Sequence, residues 1–296
     1  MKIVEASKRI LMNRVLFATD FSPNSNAALP YALAIAHQYD AKLYAAHVLS
    51  PDAYLFASPE SWPALREQTE LEQQEVVAQL EAQLRGVPHQ VMSPVGDIAD
   101  VLFRLIRDHQ IDLLVLGTHG RTGLSKLLLG SVAEKLFRQS SCPVLTVGPQ
   151  VPRSDKPVAE FNRILLATDF SDESLVAVPY AISLAQEHQS RLTLMHVLEQ
   201  AQGGTVDFDS NAEFSIRRLR ELVPADQEMW FQPDFVVEFG ATDKQILKVA
   251  AEHQADLIVV GVRALPSVSS MATHFGYSKA QLIVSHASCP VLTIRG

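Results

Sequence analysis

The chain has 296 residues, of which 47% are hydrophobic and 20% charged, with a formal net charge of −8. That length accommodates two domains and that composition a full core in each, which excludes a largely disordered chain. The acidic balance argues against a general nucleic-acid surface, which should be basic, and leaves room for a local pocket that takes a phosphorylated small molecule.

Read in chain order, the N-terminus MKIVEASKRILMNRVLFATD is interrupted by Glu5, Lys8 and Arg9, so it does not read as a signal peptide. No apolar run approaches the roughly 18 residues of a membrane span. RVLFATD is a continuous apolar run ending in an acid, the pattern of a strand buried on both faces. Ser22 then caps a helix with Pro23 at its first position. That helix continues through NSNAALPYALAIAHQYD, with a kink expected at Pro30. AKLYAAHVL is a second strand, and ALREQTELEQQEVVAQLEAQLRG a long amphipathic helix with a solvated outer face. PHQVMSPVG is a third strand, followed by a helix capped by Asp97. DLLVLG is the fourth strand, SVAEKLFRQS a helix and PVLTVG the fifth strand.

The whole series then recurs. RVLFATDFS at 14–22 returns as RILLATDFS at 163–171, placing Asp20 and Asp169 149 positions apart. IDLLVLG at 111–117 returns as ADLIVVG 144 positions on, and SCPVLTV at 141–147 as SCPVLTI 147 positions on. A period this long is a duplicated domain rather than a solenoid. Between the copies, GPQVPRSDKPVAEFN carries three prolines and reads as a semi-extended linker. Strands alternating with helices imply parallel βαβ units. The expectation is an α/β chain of two tandem doubly wound domains, each a five-stranded parallel sheet with helices on both faces. Residues 10–149 form the first domain, 150–161 the linker and 162–296 the second.

In such sheets ligands bind beyond the carboxyl ends of the strands, near the switch in strand order. Asp20, Val48 and Gly117 all fall at strand ends of the first copy. Gly117 opens the stretch GTHGRTGLSKLLLGS, which has four glycines, two basic residues and no acid. Its spacing is neither that of a Walker A loop nor the dinucleotide pattern G-x-G-x-x-G. Gly117 and Gly120 are followed, after nine residues, by Gly130 and Ser131. Glycines permit close approach of a phosphate to the backbone, and Ser131 is expected to cap the next helix, whose positive end suits an anion. Arg121 and Lys126 add charge. The competing reading is a loop whose glycines merely turn the chain.

ATDFS at the first strand, HV at the second, G-x2-G-x9-G-S after the fourth and CPVLTV at the fifth together resemble the universal stress protein domain, twice over. The resemblance spans nearly the whole chain apart from its first dozen residues and the linker. It implies an α/β sandwich fold and, for members bearing the motif, ATP binding. On that resemblance Asp20 would meet the adenosine portion with Ala18 and Thr19 beside it. Val48 would meet adenine through its backbone. Gly117, His119, Gly120 and Arg121 would surround ribose and phosphates, and Gly130, Ser131 and Val132 would hold phosphate at the helix start. Mg or Mn would ride on the phosphates rather than in a protein cage. The family also resembles dimers that pair through their fifth strands, so the two copies are expected to form an internal pseudo-dimer, with a homodimer of the chain as a further arrangement.

The second copy keeps Asp169, Val197 and Gly261, but Gly120 becomes Ala264, Arg121 becomes Leu265 and Gly130 becomes Tyr277. A degenerate second site, built from Asp169, Val197, Gly261, Arg263 and Ser278 and empty or differently occupied, is the expectation. Asp20 and Asp169 admit two readings, ligand contact or helix cap. His47 and His196 read as packed core histidines, and His119 as either a solvated loop residue or a ribose or phosphate contact. Cys142 and Cys289, two cysteines with no CxxC partner, offer no disulfide framework, metal or catalytic role and suit a reducing cytoplasm. No nucleophile elbow or carboxylate pair is recognisable, so no catalytic residue is assigned. The function expected is an ATP-binding stress-response protein whose nucleotide is a regulatory or signalling ligand. The alternatives are a slow ATPase or transferase using the same pocket, and a nucleotide-free interaction scaffold.

Overall fold

The structure, a computed structural model, describes residues 10, 12–50, 58–118, 130–153, 161–199, 208–224, 232–263 and 279–296. The first half runs β1 (Arg14–Ala18), α1 (Pro23–Asn26), α2 (Leu29–Gln38), β2 (Lys42–Ala46), α3 (Trp62–Gln83), β3 (His89–Met92), α4 (Ile98–Asp108), β4 (Leu113–Gly117), α5 (Ser131–Gln139) and β5 (Val144–Val147). The second half repeats it as β6 (Arg163–Ala167), α6 (Asp172–Leu175), α7 (Val178–His188), β7 (Arg191–Leu198), α8 (Phe208–Glu221), β8 (Asp234–Phe239), α9 (Thr242–Glu252), β9 (Leu257–Val262), α10 (Lys279–His286) and β10 (Val291–Arg295).

The strands form one ten-stranded sheet in the order β3-β2-β1-β4-β5-β10-β9-β6-β7-β8. Within each half all neighbours are parallel, and the halves join where β10 pairs antiparallel with β5. Val291, Leu292 and Thr293 stand opposite Thr146, Leu145 and Val144. Two side-chain bonds lock that register: Thr146 Oγ1 donates to the Val291 carbonyl at 3.1 Å and Thr293 Oγ1 to the Val144 carbonyl at 3.2 Å. The internal pseudo-dimer is therefore present as a continuous sheet.

Strand side chains alternate between two cores, one on each face. Val15 and Phe17 enter one core with α2, α7 and the end of α3, whereas Leu16 enters the other with α4, α5, α9 and α10. Each core contains residues of both halves, so burial is shared across the β5–β10 junction. α3 is the exception: of its 22 residues only Leu80 is buried.

Two local expectations need correction. The helix after β1 is not one kinked rod but two, α1 and α2, with Pro30 in the first turn of α2. Proline has no N–H to donate to the carbonyl of residue 26, so the helix restarts where a missing N–H costs nothing. The same break places Pro179 in the first turn of α7. Ser131 is not a cap but the first residue of α5, and Gly130 occupies the N-cap position with no side-chain hydrogen bond. Ser22 and Asp97 do cap: each accepts an amide, from Ser25 at 3.1 Å and Asp100 at 3.0 Å.

Candidate functional site

The stretch ATDFS makes a tightly determined turn beyond β1. Thr19 N donates to the Ala46 carbonyl at 3.0 Å, and Thr19 Oγ1 accepts the Phe21 amide at 3.0 Å. Asp20 Oδ1 accepts the Ser22 amide at 3.0 Å. Phe21 sits at φ 58, a left-handed conformation that a bulky residue holds only when its neighbours enforce it. The second copy repeats the turn, with Phe170 at φ 62 and Asp169 Oδ1 accepting both the amide and hydroxyl of Ser171. Both aspartates thus hold the turn while the following serines cap the helices. Burial works to raise the Asp169 carboxyl, but the Ser171 bonds outweigh it and hold it below the ordinary carboxylate range.

The turn carries the chain away from β2, which exposes a piece of β2's backbone. Leu49 N donates to the Pro94 carbonyl at 2.9 Å, and the Leu49 carbonyl accepts Gly96 N at 3.0 Å. Alternation along an extended chain points the Val48 amide and carbonyl the other way, into the gap that β1 has vacated. Among the described residues neither has a backbone partner.

That gap is a crevice of about 390 Å³ at the carboxyl ends of β1, β2 and β4. Ala18, Thr19, Asp20, Val48, Gly117, Gly130, Ser131 and Val132 all line it. His119, Gly120 and Arg121 lie outside the described residues. Sequence reasoning missed the apolar walls Ala46, Ile98, Leu102, Leu116 and Leu136, and the polar groups of Ser50 and Thr118. The signal for Ile98 and Leu102 was available as the inward face of helix DIADVLFRLIRD, and that for Thr118 as the residue directly after β4. At one end Gly130 N donates to the Thr118 carbonyl at 2.9 Å, clipping together the two ends of the glycine-rich stretch. This brings the start of α5, which has no side-chain cap bond, to the mouth, where first-turn amides without a backbone partner among the described residues favour an anion. Asp20 is the one acid on the described lining, which has no lysine or arginine.

Gly117 plays a packing role here. A Cβ on it would stand 2.5 Å from the Asn24 carbonyl oxygen and 2.8 Å from Ser25 Cα. Gly261 is equally constrained: a Cβ on it would run into the Glu173 carbonyl oxygen and stand 2.5 Å from Ser174 Cα. Both glycines let α1 or α6 lie against the strand end, so retention of Gly261 in the second copy follows from packing alone.

The second crevice, about 510 Å³, is lined by Asp169, Val197, Gly261 and Arg263, together with Glu173, Thr242, Lys279 and apolar Met195, Val260 and Ile283. Ser278 lies outside the described residues. Arg263 is paired through its Nε, 3.2 Å from Glu173 Oε1, at an exposed position. Lys279 Nζ is 2.6 Å from Glu199 Oε1, and that bond holds the Glu199 carboxyl below its usual range. Phe137 and Arg138, from the last turn of α5, also line this crevice. One helix therefore starts at the first crevice and ends at the second.

His47 and His196 are packed as expected. Each donates from Nδ1 to a threonine carbonyl, Thr19 or Thr168, at 2.8 Å, and each ring lies against the phenylalanine of its turn. Both cysteines are buried, and burial pushes the Cys142 thiol up to about 11 and Cys289 to about 12. Ellman's reagent at pH 8 should therefore titrate neither thiol in the native chain, and both after denaturation in guanidinium. Rapid native labelling of either would contradict their burial. Among the described residues no group of three His, Cys, Asp or Glu is placed to hold a metal ion, and no helix is long and apolar enough to cross a membrane.

Comparison with known proteins is consistent with this geometry. The family model described as "Universal stress protein family" matches residues 12–148 and again 160–295. A universal stress protein of Mycolicibacterium smegmatis is 27% identical over 303 residues, covering 95% of this chain and 96% of that protein. One from Methanocaldococcus jannaschii is 34% identical over 140 residues, covering 46% of this chain and 82% of the relative. The crystal structure of a universal stress protein from Archaeoglobus fulgidus superposes with a TM-score of 0.73 at 24% identity, over 96% of this chain and 98% of that one, and shares the fold.

Proposed function

The chain belongs to the universal stress protein family, and from that premise we propose that its first crevice binds an adenine nucleotide, ATP, as a regulatory ligand. The observation that supports this reading is the Val48 backbone, which has no backbone partner among the described residues and offers one donor and one acceptor at the edge of an apolar slot. A flat heterocycle with complementary edge groups satisfies both while Leu102, Leu116 and Leu136 cover its faces. The ribose then falls near Asp20, and the phosphates reach the start of α5 and the glycine-rich stretch between 117 and 130. Arg121 and Lys126 supply the positive charge in this reading. A divalent ion would be carried on the phosphates, where it would offset their charge. Membership of the universal stress protein family supports reading occupancy as a signal rather than a substrate state.

Isothermal titration calorimetry of the purified full chain with ATP tests this directly. One site per chain is expected, and absence of heat at millimolar ATP would sink the proposal. Asp20→Asn preserves the acceptor for the Ser22 amide and removes the charge. It should weaken ATP about tenfold, the scale of losing one charge-assisted hydrogen bond, with folding stability unchanged within about 0.5 kcal/mol.

A further inference from the structure

Two pairs of substitutions at matched positions change the charges of the second crevice relative to the first. Ser50 plus the offset of 149 is Glu199, and Val132 plus 147 is Lys279. Asn24 plus 149 is Glu173, and His119 plus 144 is Arg263. In each pair, two uncharged residues have become an acid and a base that bond to one another, at 2.6 Å and 3.2 Å. Arg138, the remaining cation on the described lining, is 3.1 Å from Glu134.

Glu199 is held from two sides. Its Oε1 also accepts the Thr242 hydroxyl at 2.5 Å and the Thr242 amide at 3.4 Å. A carboxylate therefore already spans from the start of α9 to the first residue of α10. Glu199 itself is not on the lining; its partners Thr242 and Lys279 are, and their bonds set it at the rim of the second crevice. Meanwhile the base-binding end is intact. Thr168 N bonds the Met195 carbonyl at 3.0 Å and the Leu198 carbonyl accepts Gly240 N at 3.0 Å, so Val197 presents its backbone to the gap as Val48 does.

We propose that the second crevice is a binding site for an uncharged, nucleoside-sized heterocycle, and that the Glu199 carboxylate, bridged to Lys279, excludes phosphorylated ligands from it. A phosphate beside Lys279 would lie near Glu199 and compete with it for that cation, whereas a neutral ring meets the Val197 edge and the walls of Met195, Val260 and Ile283, and an uncharged sugar can lie beside Asp169 and Thr242 without needing a cation. Both the choice of adenosine as probe and the position of a phosphate beside Glu199 rest on the reading of the first crevice.

Met195 lies on the floor of this crevice, so its methyl resonance reports occupancy there independently of the first site. The full chain labelled with methyl-¹³C methionine is titrated with adenosine and, separately, with ATP; Met195→Leu assigns the signal among the 6 methionines. Adenosine should shift the Met195 methyl, and ATP at the same millimolar concentration should not. In Glu199→Ser, which restores the first crevice's residue, ATP should shift it too, with at least a tenfold gain in apparent affinity. Glu199→Gln keeps the side chain's size and its bond to Thr242, and should show the same gain if Glu199→Ser folds poorly. The proposal is overturned if adenosine leaves Met195 unmoved, if ATP shifts it in the natural chain, or if neither Glu199 variant gains ATP. Failure of the first-crevice reading would instead show as a chain with no calorimetric ATP site, whatever Met195 does.

Discussion

Gly117→Ala should destabilise the full chain by about 3 kcal/mol, the upper part of the range for forcing a methyl into packed structure. The new Cβ would meet backbone rather than a flexible side-chain end: the Asn24 carbonyl at 2.5 Å and its carbon at 2.7 Å. Neither can yield without moving α1, whose Ser25 hydroxyl is bonded to Thr19 at 3.0 Å. Gly261→Ala should cost a similar amount in the half that lacks the glycine-rich stretch. Gly86→Ala, with φ +101 and nothing within 4 Å, provides the contrast: strain without a clash, about 1 kcal/mol. Urea unfolding of the three variants measures this. If Gly117→Ala were fully stable yet unable to bind ATP, this glycine would serve ligand approach instead of packing.

Leu145→Pro should be still more damaging. β5 lies between β4 and β10, so each of its amides faces a neighbouring strand, and Leu145 itself is opposite Leu292. Proline in a central strand removes a ladder bond and forces its ring against a neighbour, a cost of about 3 kcal/mol or more. Loss of the buried leucine, 2% exposed, adds a cavity of the kind that costs about 2–5 kcal/mol. Because both cores cross this junction, the whole chain rather than one half should lose cooperativity. Differential scanning calorimetry should show the main transition lowered and split, and small-angle scattering an increased radius of gyration. A single unshifted transition would mean that the halves are stable without their shared strand pair.

Much of this was legible in the sequence because duplication reads each element twice. The buried strands and the Ser22 and Asp97 caps follow from local pattern, and the fifth-strand pairing from the family resemblance. Pro30 was misread because a proline in a helical run signals a kink and a fresh start equally; the difference lies in a turn of main-chain bonds around Ser25 and Ala28. Ser131 was misread because serine is a common cap, while Gly130 was already fixed by its bond to Thr118. In the site, the strand-end residues were found, but the walls from α4 were not, since inward leucines on a helix look alike whether they face core or ligand. The pairing of Glu199 with Lys279 was hidden by 80 residues of separation and became visible only where α9 and α10 come together.

The β5–β10 junction has one more consequence. When two separate chains pair in a symmetric dimer, every substitution appears in both partners, so a change that spoils one pocket spoils the other. Tethering the partners in one polypeptide makes their meeting intramolecular, at an effective concentration on the order of millimolar and independent of how much protein is present. It also releases each copy from the other's mutations. Asymmetry then becomes heritable: one half can keep glycines while its twin acquires salt bridges, and both continue to share a single sheet.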